Sequence, residues 1–322
     1  MILTLTPNPS IDATMQLTDP LQRGQVIRPA AISQVAGGKG VNVTHALTLA
    51  GRRTLAVVPA DEDDPFIALA RQADIPIHAV PVTEGVRMNT TLTEPDGTTT
   101  KINGPGATIT DDAEAEIIRI LTTLGTQCSW LVLAGSLPPG VPTDWYTRVL
   151  STVRRSLPGL PVAVDTSDEA IMALGEGLET AAPNLLKPNG LELGQLVGVD
   201  GEELESAAAD GDLRPVVDAA RKIITRGVEE VLVTLGASGA VLVIENRAWH
   251  ATPPPVEVKS TVGAGDSSLA GYLMARADSL PADQCLVRAV AYGAAATALP
   301  GTTIPSPGHL NLTDTRVREL HS

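Results

Sequence analysis

Apolar, β-branched runs alternate with longer segments of helical period along most of the chain. That is the pattern of βα units around a parallel sheet buried on both faces. Strands are predicted at residues 2–6, 54–58, 130–134, 162–165, 185–187 and 231–235, and helices between them at 41–50, 65–73, 111–124, 143–156, 168–175, 191–197 and 215–226. A short β stretch around 241–258 precedes two successive helices, 263–277 and 281–299. Two regions break the rhythm. Residues 10–17 and 86–103 alternate polar and apolar positions with period two, and the second holds Glu94-Pro-Asp-Gly97, a hairpin turn signal. These regions predict half-buried antiparallel strands that form a small β lid over one edge of the main sheet, from insertions at about 9–35 and 86–106. No long linker, low-complexity tract or repeat occurs, so the expectation is one α/β domain over residues 1–322, with a central mostly parallel sheet flanked by helices.

Composition narrows the partners. With 43% apolar and 19% charged residues in 322, the chain is of the globular class. Lys and Arg number 23 against 37 Asp and Glu, and the resulting charge of −14 argues against nucleic acid and anionic membrane surfaces as partners. An anionic substrate must therefore be met by a local cluster of the few basic residues. The two cysteines, Cys128 and Cys285, lack the spacing of a metal site or a disulfide framework, which predicts a reducing, cytoplasmic setting. The longest weakly polar stretch, 289–299, is too short to span a bilayer.

Three glycine- or asparagine-bearing turns carry candidate chemistry. In Ser260-Thr-Val-Gly-Ala-Gly-Asp-Ser-Ser-Leu-Ala-Gly271, a loop runs into an apolar helix, and Gly263, Ala264 and Gly265 can aim backbone N–H groups at an anion. Asp266 at the same helix start would repel that anion unless it has its own task, such as taking a proton from an attacking hydroxyl. Plain N-capping accounts for the same pattern. Val35-Ala-Gly-Gly-Lys-Gly-Val-Asn42 opens another helix without Walker A spacing. Its Gly37 and Gly38 let a ligand approach the backbone, Lys39 supplies charge, and Asn42 both donates and accepts; an ordinary turn with a solvated lysine is the alternative. In Leu186-Lys-Pro-Asn-Gly-Leu-Glu-Leu193, at a strand end, Asn189 and Glu192 share one helical face and suit water-mediated Mg²⁺, while the same spacing reads as a capping box. Val233 to Leu242 reads as a hairpin, the five histidines show no ligand spacing, and the acidic run 61–64 reads as a solvated turn.

Taken together, in this order and at these separations, the motifs resemble the PfkB or ribokinase-like carbohydrate kinases over nearly the whole chain, from Thr6-Pro-Asn-Pro-Ser-Ile-Asp12 to Tyr292-Gly-Ala-Ala-Ala-Thr297. Gly37 to Asn42 and Ser260 to Gly271 look like the two family signatures. Arg87-Met-Asn89, Gly135-Ser-Leu-Pro-Pro-Gly140 and Lys187-Pro-Asn189 are similar to the branch that holds 1-phosphofructokinase and tagatose-6-phosphate kinase. The resemblance implies a ribokinase-like fold and ATP-dependent phosphorylation, with Mg²⁺, of an already phosphorylated ketohexose, fructose 1-phosphate first and tagatose 6-phosphate or fructose 6-phosphate next. It implies Asp266 as catalytic base with Gly263, Ala264 and Gly265 as the anion hole. Asp12, Gly38, Lys39 and Asn42 then match sugar-contacting positions, and Arg87 and Ser136 lie near the phosphate the sugar already carries. Lys187, Asn189 and Glu192 correspond to the nucleotide-phosphate and Mg²⁺ region, and Thr234, Gly236 and Gly239 to the nucleotide loop. It also implies a homodimer paired through the lid. The sequence departs from the pattern at Ala60-Asp-Glu-Asp-Asp-Pro65, where glycines are expected, and at Lys101, where the branch varies. A non-catalytic sugar-phosphate sensor is the competing class, and Gly-Ala-Gly-Asp266 argues against it, since binding alone needs no base beside an anion hole.

Overall fold

Leu131 and Leu133 pack into one core while Trp130, Val132 and Ala134 pack into another, so the strand they share is apolar at every position. The same division runs across the computed structural model, which describes residues 1–320. Its strands are β1 (Ile2–Leu5), β2 (Ser10–Gln16), β3 (Ala31–Gly37), β4 (Thr54–Pro59), β5 (Ile77–Val80), β6 (Arg87–Thr93), β7 (Thr99–Asn103), β8 (Trp130–Ala134), β9 (Val162–Asp165), β10 (Leu185–Leu186), β11 (Glu230–Thr234), β12 (Ala240–Ile244), β13 (Arg247–Thr252) and β14 (Arg316–Leu320). Among the described residues, ten form one sheet in the order β14-β13-β12-β11-β10-β9-β8-β1-β4-β5. Pairing is parallel from β11 through to β5 and antiparallel from β11 out to β14. Helices Lys39–Leu49, Ala264–Ala277 and Ala282–Thr297 cover one face, and helices Asp111–Gly125, Trp145–Ser156, Asp168–Gly177, Gly190–Val197 and Arg214–Ile224 cover the other.

The chain order along this sheet reverses at β1, with β4 on one side and β8 on the other. A crevice opens outside the carboxyl ends of the strands at such a reversal, and ligands bind there. Strands β3-β2-β6-β7 form a separate four-stranded sheet, antiparallel within each inserted region as expected, but parallel where β2 and β6 join the two. The turn read from Glu94 to Gly97 joins β6 to β7: the Gly97 N–H donates to the Glu94 carbonyl at 3.0 Å, and Gly97 has φ 91°.

Local signals explain some element boundaries. Asp64 caps helix Pro65–Gln72 by accepting from the Phe66 N–H at 2.8 Å, and its other oxygen accepts from the Val86 N–H at 2.9 Å. The acidic run 61–64 is thus a turn and a cap, and among the described residues no cluster of three His, Cys, Asp or Glu could hold a metal. The β stretch expected around 241–258 is two strands ending at Thr252, with residues 253–258 irregular. Three elements were not expected: β5, helix Gly201–Ala209 and β14. No helix among the described residues is long and apolar enough to cross a membrane.

Candidate active site

The loops at the carboxyl ends of the parallel strands bring together side chains far apart in sequence. Asp165 ends β9 with its side chain 1% exposed. Its Oδ1 accepts a hydrogen bond from Lys39 Nζ at 2.9 Å, and its Oδ2 lies 3.0 Å from Lys187 Nζ. One turn along from Lys39, Asn42 Nδ2 donates to Asp266 Oδ2 at 2.8 Å. Helix Ala264–Ala277 begins after Gly263, whose left-handed φ of 75° turns the chain into it. The N–H groups of a first helical turn have no intrahelical acceptors and face whatever lies beyond the helix end. A Cβ on Gly265 would sit 3.3 Å from Lys187 Nζ, so that ammonium stands directly over this turn.

Charges in this cluster set one another. Burial, aided by the Asp165 charge, pushes the Asp266 carboxyl up to about 6, against the pull of Lys39, the Asn42 hydrogen bond and Lys187. Burial opposes the charge on Asp165 too, but Lys187 and Lys39 outweigh it and hold that carboxyl below its ordinary value. For Lys39, burial is likewise outweighed, by Asp165, Glu192 and Asp266, so its ammonium stays charged above the usual lysine range. Burial raises the Glu192 carboxyl despite Lys187 and Lys39.

The small sheet supplies the other wall. Asp12 Oδ1 accepts from Ser10 Oγ at 2.7 Å and from Asn89 Nδ2 at 3.2 Å. Gly37 lies against that carboxylate so closely that a Cβ would collide with it, and Gly38, at φ 118°, leads directly into helix Lys39–Leu49. Arg87 is half-buried on β6, an inner strand and not the edge. Its Nη2 donates to the Asn8 carbonyl at 3.2 Å and to Ser136 Oγ at 3.3 Å, while its buried Nε has no partner. Arg87, Asp12, Asn89 and Lys101 share one face of the sheet by register.

On the opposite side of the Gly263–Gly265 turn, Thr234, Gly236 and Gly239 line a cavity of about 580 Å³ together with Ala264, Gly265 and Ser268. The hairpin read from Val233 to Leu242 is real, with β11 and β12 antiparallel, and its turn is also a cavity wall. Asn189 and Glu192 form a reciprocal capping box: each accepts from the other's backbone N–H at 2.8 Å. That uses Asn189 Oδ1 and Glu192 Oε2.

Several residues of the site went unassigned in the sequence. Asn8 and Asn89 lie inside motifs that were read, but nothing local distinguished their side chains. Asp165 had one faint signal, an acid closing the buried run Val162-Ala-Val-Asp165. Pro253 to Val256, Val258, Gly293 and Thr297 complete the cavity, and a proline run and a small-residue helix were the only hints.

Comparison with known proteins agrees with this arrangement. Residues 5–308 match the pfkB family carbohydrate kinase pattern. The chain is 33% identical over 294 residues to a 1-phosphofructokinase of Xanthomonas campestris pv. campestris, covering 90% of this chain and 89% of the relative. It is 32% identical over 323 residues to a 1-phosphofructokinase of Haloferax volcanii, covering 100% and 97%. Among solved structures, phosphofructokinase-2 from Escherichia coli in complex with substrates and products superimposes with a TM-score of 0.82 at 30% identity, covering 96% of each chain. With two glycine-bearing helix starts facing each other across the carboxyl ends of a parallel sheet, and a match spanning nearly its full length, this chain belongs to the pfkB family of carbohydrate kinases.

Proposed function

We propose that the protein is a 1-phosphofructokinase, transferring the γ-phosphoryl group of ATP to the free primary hydroxyl of fructose 1-phosphate to give fructose 1,6-bisphosphate and ADP. The observation that carries the reading is Asp266, a buried carboxyl with a pKa raised to about 6, set at the mouth of a helix N-terminus between a basic pocket and an apolar cavity. A carboxylate tuned toward neutrality is suited to accept the hydroxyl proton as the oxygen attacks. The backbone N–H groups at Gly263, Ala264 and Gly265 stabilise the charge on the transferring phosphoryl group, with Lys187 over the same turn. Asp12, Gly38, Lys39 and Asn42 orient the sugar. Arg87, anchored by Asn8 and Ser136, receives the phosphate the sugar already carries.

The cavity walled by the Thr234–Ala240 turn and Pro253 to Val258 is concave and mostly apolar, which suits the nucleoside of ATP, and its floor reaches Gly265 where the phosphates would lie. Glu192 and Asn189 suit Mg²⁺ in one manner only. The capping box leaves Glu192 Oε1 uncommitted, and among the described residues no group of three His, Cys, Asp or Glu could hold a metal directly, so an ion would be held through water and the nucleotide phosphates. When bound there, Mg²⁺ supplies neutralisation of phosphate charge.

The whole chain acts as one kinase unit, with the small sheet as its lid. The lid's two faces differ. Asp12, Asn89, Arg87 and Lys101 occupy the site face, while Ile32, Met88 and Ile102, exposed by 58%, 44% and 59%, lie on the opposite face by register. An apolar outer face on a four-stranded sheet calls for a second copy, and a homodimer paired through the lids would cover it. The free thiols Cys128 and Cys285 fit a cytoplasmic enzyme.

Fructose 6-phosphate is the second reading, favoured by the similarity to Escherichia coli phosphofructokinase-2, also solved in complex with that sugar. ADP release measured across fructose 1-phosphate, fructose 6-phosphate and tagatose 6-phosphate decides. The highest kcat/KM is expected with fructose 1-phosphate. Preference for either 6-phosphate transfers the assignment, and no turnover with any of them returns the protein to a sensor.

A further inference from the structure

Asp165 touches both halves of the crevice. Lys39, on its Oδ1, opens the helix beside Asp12 and the small sheet; Lys187, near its Oδ2, stands over the anion-hole turn beside the nucleotide cavity. The carboxylate and Lys187 are both shut away from water, so solvent screens that contact little, while Lys39 keeps a partly exposed side chain. Asp165 Oδ2 forms a buried ion pair with Lys187 at 3.0 Å. Two ammonium groups converging on one phosphoryl group repel each other, and a shared buried carboxylate removes that repulsion while both remain charged.

We propose that Asp165 is a positioning residue for phosphoryl transfer, holding Lys39 on the acceptor side and Lys187 on the nucleotide side of the anion hole in fixed relation to each other. The same carboxylate acts on the base. Lys39 and Asn42 from helix Lys39–Leu49, Asp165 from β9 and Lys187 from beyond β10 surround Asp266, and Glu192 acts on Lys39 from the helix behind. Asp165 disfavours the Asp266 carboxylate and the two lysines favour it. Removing the Asp165 charge therefore lets Asp266 ionise at lower pH.

This inference rests on the phosphotransfer reading, so ADP release by the unaltered chain comes first. If that chain phosphorylates no sugar phosphate, the functional reading falls and this inference with it. Given turnover, Asp165→Asn keeps the shape and loses the charge. It is expected to lower kcat by about 100-fold, the order that ångström-scale misplacement of a reacting group costs. It should also raise KM for both ATP and the sugar phosphate and move the acid limb of kcat/KM to lower pH. A role confined to folding lowers the unfolding temperature and leaves both KM values and the acid limb in place. That result, or a rise in only one KM, overturns the proposal. Should Asp165→Asn not fold, Asp165→Glu is read in its place. It keeps the charge and lengthens the reach, so kcat falls while the acid limb stays, and a wild-type kcat overturns the proposal.

Discussion

Asp266 meets its surroundings through one hydrogen bond from Asn42 and through the charges of Asp165, Lys39 and Lys187. As the proposed base it must be ionised, and burial raises its pKa to about 6, so kcat/KM should rise with pH through that value and level off above it. Asp266→Asn can still accept from Asn42 but cannot take a proton. Its kcat is expected to fall by about 10²–10⁴-fold with ATP affinity kept, and near-normal turnover would reduce Asp266 to a helix cap. The linkage has a definite sign. A carboxyl raised above its unfolded value of 3.8 makes the fold progressively less stable as pH climbs from there through about 6. Asp266→Asn should therefore raise the unfolding temperature at pH values above about 6, and the gain should vanish in acid near the unfolded pKa. Arg87 makes a different prediction. Its guanidinium is already held by the Asn8 carbonyl and Ser136 Oγ, with a buried Nε left over. Arg87→Ala should raise KM for the sugar phosphate by about 10- to 100-fold, for a lost charge-assisted contact of about 1.5–3 kcal/mol, and leave KM for ATP almost unchanged. An equal rise for both substrates would remove Arg87 from the substrate pocket.

At the scale of elements, the turn between β11 and β12 joins fold and site. Gly239 has φ 87°, and a Cβ there would collide with the Ala251 carbonyl on β13, backbone that has no rotamer by which to yield. Gly239→Ala is expected to cost about 1–3 kcal/mol of stability, and to raise KM for ATP more than for the sugar, because the turn walls the cavity proposed for the nucleotide. Denaturant unfolding and kinetics with each substrate varied check the two parts, and an unchanged KM for ATP would detach the turn from nucleotide binding. Two of the unexpected elements share a cause. β5 is a half-exposed edge strand of four residues, Ile77–Val80, with His78 outward. Helix Gly201–Ala209 buries only Leu204 and Ala208 among its apolar side chains. Neither presents enough apolar repeat to mark its period, whereas the central strands, packed on both faces, announced themselves as unbroken apolar runs.

For the whole molecule, the apolar outer face of the small sheet predicts its assembly. Ile32→Asp combined with Ile102→Asp should convert a dimer to a monomer in sedimentation velocity, and a mass unchanged by the pair would place the interface elsewhere. The sequence by itself determined the alternation of strands and helices, the hairpin at Glu94 to Gly97 and the glycine-bearing helix starts at Gly38 and Gly263, because periodicity and turn chemistry act over a few residues. It also singled out Lys39, Lys187 and Asp266 in turns and Arg87 on a strand, since few basic residues exist in a chain of charge −14 and a carboxylate at a glycine-bearing helix start is conspicuous. Only the tertiary structure decided which of them meet. Lys39 reaches Asp165 across 126 residues and Asn42 reaches Asp266 across 224, separations at which no local pattern constrains a side chain. The order of the sheet, reversing at β1, brings those strand ends to one crevice, and burial there gives Asp165 and Asp266 opposite pKa shifts although both are aspartates.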